Sequence, residues 1–431
     1  MTSPRPPAWG PDFPTRAVFV AAVAVTWIAL KLVAFWGWVH LPDEYGDTYY
    51  YFLTAMENAD TTAFSEYPTP VGALLSLPYL LGAQDPESYR WAILVGTTLA
   101  DAAFAVLLGR LTGPVGVLGW MVLTTVLGQV SLLRFDIFPA VAAAAAILML
   151  ARGHSRAAAV LVAVGTALKV WPVILTPLVI GGAQRRLRTL GWFAATGLVL
   201  VVASVAVGGW DRLLSPITHQ RERGLQIESV AATLPMQAWA SGRGYAVEYS
   251  AFHAFEVTGP DTAGWLALTD LFAAVAFLGC AVLLVVWLRH GCRRQAIPYL
   301  ALTGIGAFIA SSPAFSPQYL LWIAAPAAVG LGWSLTDPDG PRRGPAALTW
   351  IGAVTLCLLT TAIYPVNYAA LTTVTDTTAR AVALLSARNV ALLMFVAWTA
   401  ALAQMSGRPG AGALRPPRGS AATPAGGRSE R

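Results

Sequence analysis

Apolar stretches of membrane length alternate along the chain with short polar breaks. Residues 17–39, 91–109, 113–128, 137–150, 190–207, 265–288, 297–309, 319–331, 346–363 and 387–403 are apolar enough, and long or nearly long enough, to cross a bilayer as helices. The stretch 157–182 is interrupted at Lys169-Val170-Trp171-Pro172. As one span it would put Arg185, Arg186 and Arg188 on the side facing away from the other arginine clusters. Two short helices, 157–168 and 171–181, with Lys169 at the turn between them, remove the conflict. The pattern therefore predicts an all-α polytopic membrane protein with about twelve transmembrane or half-membrane helices. Two breaks, 40–90 and 208–264, are long enough to build a site. In the first, 71–81 is apolar but too short to span, which predicts an interfacial or re-entrant helix, and Asp85-Pro86-Glu87 reads as a helix start with Asp85 as N-cap. In the second, Leu225, Ile227, Val230 and Leu234 beside Arg221, Arg223 and Glu228 predict a short amphipathic helix lying on the membrane.

Composition excludes a soluble domain. Only 12% of the 431 residues are charged, against about a quarter in soluble proteins, and 56% are hydrophobic; mean hydropathy is +0.60. Residues 17–39 are too long for a signal-peptide core and read as a retained anchor. Most of the 28 basic residues fall at one set of span ends, whereas the 40–90 loop has eight acidic residues and one basic. This bias predicts a multi-pass membrane protein with both termini cytoplasmic and the two large loops extracytoplasmic. The net charge of +6 follows from the same bias and gives no reason to expect nucleic acid. The expected organisation is a cytoplasmic segment at 1–16, a transmembrane domain at 17–404, and a disordered basic cytoplasmic tail at 405–431, rich in Gly, Pro, Ala and Arg. Cys280, Cys292 and Cys357 have the spacing of neither a disulfide framework nor a zinc site, and no metal-binding pattern or phosphate-cradling glycine loop is present.

The first loop combines Pro42-Asp43-Glu44-Tyr45-Gly46-Asp47-Thr48-Tyr49-Tyr50-Tyr51 with Glu66-Tyr67-Pro68-Thr69-Pro70. Carboxylates can take a proton from a hydroxyl, and tyrosines stack on and hydrogen-bond to sugar rings, so the loop has the chemistry of a sugar-handling site at a membrane surface. Asp47, a few residues past the first span, is the candidate general base, with Glu66 next; Tyr50 and Tyr67 are candidate sugar contacts. Only two basic residues are lysines, Lys31 and Lys169, both in apolar stretches. A membrane-embedded ammonium costs about 2.5 kcal/mol or more and needs a partner or a job. Lys31 either snorkels to the interface or joins the site, and Lys169 is a candidate anion ligand. In the turn 129–136, Arg134 and Asp136 either pair with each other or serve a phosphate, with Asp136 orienting Arg134. His219, Arg221, Arg223, Gln226 and Glu228 form a second polar cluster, either suited to a phosphate or the solvated face of the amphipathic helix, and Gln318 and Tyr319 are polar groups near an outer span end. Tyr319, Tyr364 and Tyr368 also fit an interfacial aromatic belt. Asp101 and Asp270 lie inside spans without a partner that the sequence identifies.

The ordered set Asp47-Thr48-Tyr49-Tyr50, Tyr67-Pro68-Thr69-Pro70, Gly128-Gln129, Arg134-Phe135-Asp136, Leu168-Lys169-Val170-Trp171-Pro172 and Ser316-Pro317-Gln318-Tyr319-Leu320 resembles the integral-membrane GT-C glycosyltransferases. The similarity is greatest to glycosyltransferase family eighty-seven, the polyprenyl-phosphate-mannose-dependent alpha-mannosyltransferases. Thr69 separates two prolines that are adjacent in the commoner form of the motif. The resemblance implies a GT-C-type fold over 17–404 with its site in the outer loops, and Asp47 as catalytic base. It also implies a lipid-phosphate sugar donor, a glycolipid or glycan acceptor, and no metal or other cofactor. An arabinofuranosyltransferase using a prenyl-phosphate donor and, from another class, a lipid-linked sugar transporter or flippase remain the alternatives.

Overall fold

The computed structural model describes residues 13–39, 46–57, 64–221 and 223–407. The expected tail from 408 onward, most of the 1–16 segment, and Asp43 and Glu44 lie outside the described residues, as does the side chain of Arg221. In chain order the helices are α1 (Phe13–Val39), α2 (Gly46–Glu57), α3 (Thr69–Leu80), α4 (Pro86–Leu127), α5 (Gln129–Leu133), α6 (Ile137–Ala151) and α7 (Ser155–Leu168). A 3-10 turn (Trp171–Leu175) leads into α8 (Thr176–Gly182), followed by α9 (Arg186–Arg221) and α10 (Thr233–Ala240). The hairpin β1 (Ala246–Tyr249) and β2 (Phe255–Thr258) precedes α11 (Thr262–Arg289), α12 (Ile297–Ser311), α13 (Leu320–Thr336), α14 (Arg343–Ile363), α15 (Ala369–Thr372) and α16 (Thr378–Gly407). Among the described residues six helices, α4, α9, α11, α13, α14 and α16, are long and apolar enough to cross a membrane; shorter apolar helices include α3, α6 and α7. The all-α membrane class holds, with one small antiparallel sheet that the apolar pattern does not predict.

Local signals account for most boundaries. Asp85 caps α4, its carboxylate accepting from the backbone N–H groups of Glu87 and Ser88. The predicted spans 91–109 and 113–128 are two limbs of α4 that meet at Gly113, whose φ of 72° is open to glycine at little steric cost. A second bend of this kind, at Gly209 (φ 73°), carries α9 beyond the predicted 190–207 span to Arg221, so the front of the expected second loop is helical. The interrupted 157–182 stretch forms two short helical pieces, with Lys169 as the extended C-cap of α7.

The centre of the molecule is α13, buried along most of its length against α4, α6 and α14, whereas α9 and α11 have few fully buried residues. Small residues set the closest approach. A Cβ on Gly332 of α13 would lie 2.7 Å from the Cα of Gly116 on α4 and 2.5 Å from the Thr112 hydroxyl. Gly332→Ala is expected to cost about 1–3 kcal/mol by forcing these helices apart, read as a lower unfolding temperature in detergent; an unchanged temperature would contradict the close approach.

Lys31 neither snorkels nor enters the site. It is buried, its Nζ 3.1 Å from Asp101 Oδ1 and 2.9 Å from the Thr124 hydroxyl, while Trp27 Nε1 donates to Asp101 Oδ2 at 2.6 Å. The pair ties α1 to α4 in a medium where either charge alone would be costly. Asp270 is exposed on α11.

The predicted amphipathic surface helix around Leu225–Leu234 does not form over its first half. Leu225 and Ile227 are both buried, and the backbone from 225 to 227 runs along β2: Ile227 N–H donates to Phe255 O at 3.1 Å and Val257 N–H to Leu225 O at 2.8 Å. Burial at i and i+2 has the period of a strand, and too few residues are involved for the apolar pattern to distinguish strand from helix. Only from Thr233 does the chain turn helical, as α10.

Candidate active site

At the end of the bundle where α2, α6 and α13 begin and α7 ends, the loops enclose a cavity of about 970 Å³. Asp47, Tyr50, Glu66, Tyr67, Arg134, Lys169, His219, Arg223, Gln226, Glu228, Gln318 and Tyr319 line it, so segments far apart in sequence converge on one space. Asp136 stands behind the wall, fully buried.

Two ion pairs organise the cationic side. Asp47, in the first turn of α2, pairs with Arg134, which follows α5 in an extended conformation. The positive φ of Gly128 (53°) provides the break between α4 and α5 that brings Arg134 forward. Arg134 also donates to the Tyr364 hydroxyl at 2.5 Å, and Tyr51 donates to Asp47 Oδ2 at 3.5 Å. Lys169 Nζ lies 2.7 Å from Asp136 Oδ1, which accepts from Trp322 Nε1 at 3.0 Å as well; Asp136 Oδ2 has no hydrogen-bond partner among the described residues. The ammonium sits over the rings of Tyr319 (5.3 Å), Trp322 (5.2 Å) and Tyr67 (5.9 Å), in an aromatic box that favours a cation. Arg134 and Asp136 therefore do not pair with each other, and Asp136 orients Lys169 instead of Arg134. Tyr319 and Tyr364 are buried parts of this wall and not members of an interfacial belt.

The opposite wall is aromatic and acidic. Tyr50 donates to Glu66 Oε1, and burial together with the Glu66 charge pushes the Tyr50 phenol well above its ordinary range, so it stays a proton donor. Burial raises the Tyr67 phenol likewise. The turn between β1 and β2 reaches in, with His253 4.7 Å from the Tyr50 ring and Phe252 4.9 Å from His219, ring centre to ring centre. Gln226 Nε2 donates to the Ser316 hydroxyl at 3.3 Å. Glu228 is engaged on the far side: its Oε2 lies 2.6 Å from Arg388 Nη1, and both side chains are fully buried. Burial raises the Glu228 carboxyl above its usual range, opposed by the Arg388 charge. Arg388 is thus a support of the cavity wall that sequence reasoning missed, as are Trp322 and the residues of the hairpin turn. The available signal was an arginine inside the apolar α16 segment, which demands a partner.

Such a cavity offers a carboxylate next to hydroxyl donors, two cations suited to an oxyanion, and aromatic faces suited to a sugar ring. Among the described residues no group of three or more His, Cys, Asp or Glu is placed to hold a metal ion. No curated protein matches the chain. The family model "Glycosyltransferase family 87" matches residues 64–317, a stretch that includes Arg134, Lys169 and the second loop and begins after Asp47. With more than half of its length matched, the chain belongs to glycosyltransferase family 87 and is a membrane glycosyltransferase.

Proposed function

We propose that this enzyme moves mannose, with inversion, from a polyprenyl-phosphate-mannose donor to a glycolipid or polysaccharide acceptor on the outer side of the plasma membrane, with both chain termini cytoplasmic. Asp47 is the general base. It takes the proton of the acceptor hydroxyl as that oxygen attacks the anomeric carbon, and the bond from that carbon to the phosphate oxygen breaks on the opposite face. The bonding electrons leave with polyprenyl phosphate. A beta-linked donor thereby gives an alpha-linked product.

The observation that carries this reading is the meeting of Asp47, Arg134 and Lys169 on one cavity. Arg134 and Lys169 supply directed positive charge where the leaving phosphate gains negative charge, with Arg223 and His219 on the facing segment. Arg134 is paired with Asp47, so the guanidinium stands between the base and the place proposed for the leaving phosphate and can hold both in register. Tyr50, Glu66 and Tyr67 orient the sugars, while Gln226, Gln318 and Tyr319 complete the lining. Val170, Val173, Ile174 and Ile217 form its apolar side, suited to the first prenyl units.

The reading needs no metal, because the chain's own cations serve the phosphate. Purified protein given polyprenyl-phosphate carrying radiolabelled mannose and a membrane extract as acceptor is expected to form an alpha-mannoside. Transfer of arabinose from its prenyl phosphate in place of mannose would reassign the sugar. Movement of the donor across a vesicle membrane without any glycoside would overturn the enzyme reading in favour of a transporter.

A further inference from the structure

A second cavity, of about 540 Å³, lies at the opposite end of the bundle, between the first turn of α7, the start of α9 and the 291–297 segment. It is separated from the active site by the length of α6, 15 residues, or roughly 22 Å at 1.5 Å per residue. Arg156, Arg185, Arg188 and Arg294 line it, and no carboxylate does. The ion pairs among the described residues involve Lys31, Arg134, Lys169 and Arg388, and none of these four arginines. These four arginines are exposed at the rim; together they give the concavity a positive potential that favours an anion, and their planar forks match phosphate oxygens. Arg156 stands 4.8 Å from the ring centre of Trp192, which also lines the cavity.

From this cavity α9 leads away with apolar side chains uncovered on the face that carries Arg188: Trp192, which lines the cavity, and Val199, two turns on, are both exposed. A phosphate seated among the arginines therefore has an apolar wall running from it along a membrane-spanning helix. We infer that this cleft is a binding site for the headgroup of an anionic phospholipid, with the acyl chains along α9. The site is separate from the donor cavity, and its ligand need not take part in transfer. A basic recess between helix ends holds such a headgroup by charge and by fit.

The test titrates the full-length protein in detergent with phosphatidylglycerol, phosphatidylcholine or inorganic phosphate, reading retained lipid by native mass spectrometry and unfolding temperature in parallel. Phosphatidylglycerol is expected to be retained and to raise the unfolding temperature. The double variant Arg156→Gln/Arg188→Gln is expected to bind it at least about tenfold more weakly. Arg342→Gln/Arg343→Gln, at the same end of the bundle but outside the cavity, is expected to bind like the parent. Equal binding of phosphatidylcholine, or equal weakening in both double variants, would overturn the proposal in favour of general surface attraction. Protection by inorganic phosphate equal to that by phosphatidylglycerol would overturn the lipid assignment and leave a free-phosphate site. These readouts do not depend on catalysis, so they stand or fall apart from the proposed transfer reaction.

Discussion

Replacing Asp47 by asparagine is expected to lower sugar transfer about 10²- to 10⁴-fold if it is the general base, the range for loss of such a positioned group. The side chain keeps its size and its place in the first turn of α2, so the loss is one of proton acceptance. Because Asp47 is paired with Arg134, the substitution also releases that guanidinium. If Arg134 serves the donor phosphate, the donor KM should stay the same or fall while kcat collapses. On the proposed mechanism an acidic limb of the pH–rate profile arises from protonation of this base, and it should disappear from the residual activity. The contrary result, a raised donor KM with kcat and the acidic limb intact, would mean that Asp47 only positions Arg134. Glu66 would then become the candidate base.

Lys169→Met should destabilise the protein by about 3–5 kcal/mol, because it leaves a buried carboxylate without its counter-charge. Asp136 is fully buried, its Oδ2 has no partner among the described residues, and Trp322 Nε1 is its other hydrogen-bond donor. The substitution also removes a cation from the box of Tyr319, Trp322 and Tyr67. Stability and catalysis separate in the double variant Lys169→Met/Asp136→Asn. Its unfolding temperature is expected to return most of the way to the parent, since no lone charge remains, while transfer stays low because the leaving phosphate has lost a cation. A double variant that regained both stability and transfer would reduce Lys169 to a structural role.

The parts of this protein that were legible in the chain are those governed by neighbours in sequence. Sustained apolarity marked the spans, and Asp85 ahead of Pro86 marked a helix start that has the expected capping bonds. The clash of one long span with the arginine distribution split 157–182 in two and set Lys169 at the turn. The composition of the 40–90 loop and the order of short motifs pointed to sugar transfer, and the family match supports that coarse conclusion.

Errors arose where few residues decide between periods or where a charge finds a distant partner. Leu225 and Ile227 fit an amphipathic helix as well as a strand until Val257 is in place beside them. Lys31 could not be matched to Asp101, 70 residues away, although an ammonium in an apolar stretch announced that it needed something, nor Glu228 to Arg388 at a separation of 160. Arg134 and Asp136, two residues apart, could pair with each other or serve a phosphate; the break at Arg134 and the start of α6 send them to Asp47 and Lys169. By itself, then, the sequence determined that this is a many-helix membrane protein, where most helices begin and end, and which side chains have chemistry to offer. Only the tertiary structure decided which charges neutralise one another and which segments wall the cavity. Hydropathy and capping act over a few residues, whereas an ion pair in a medium of low dielectric is chosen by which helices pack together.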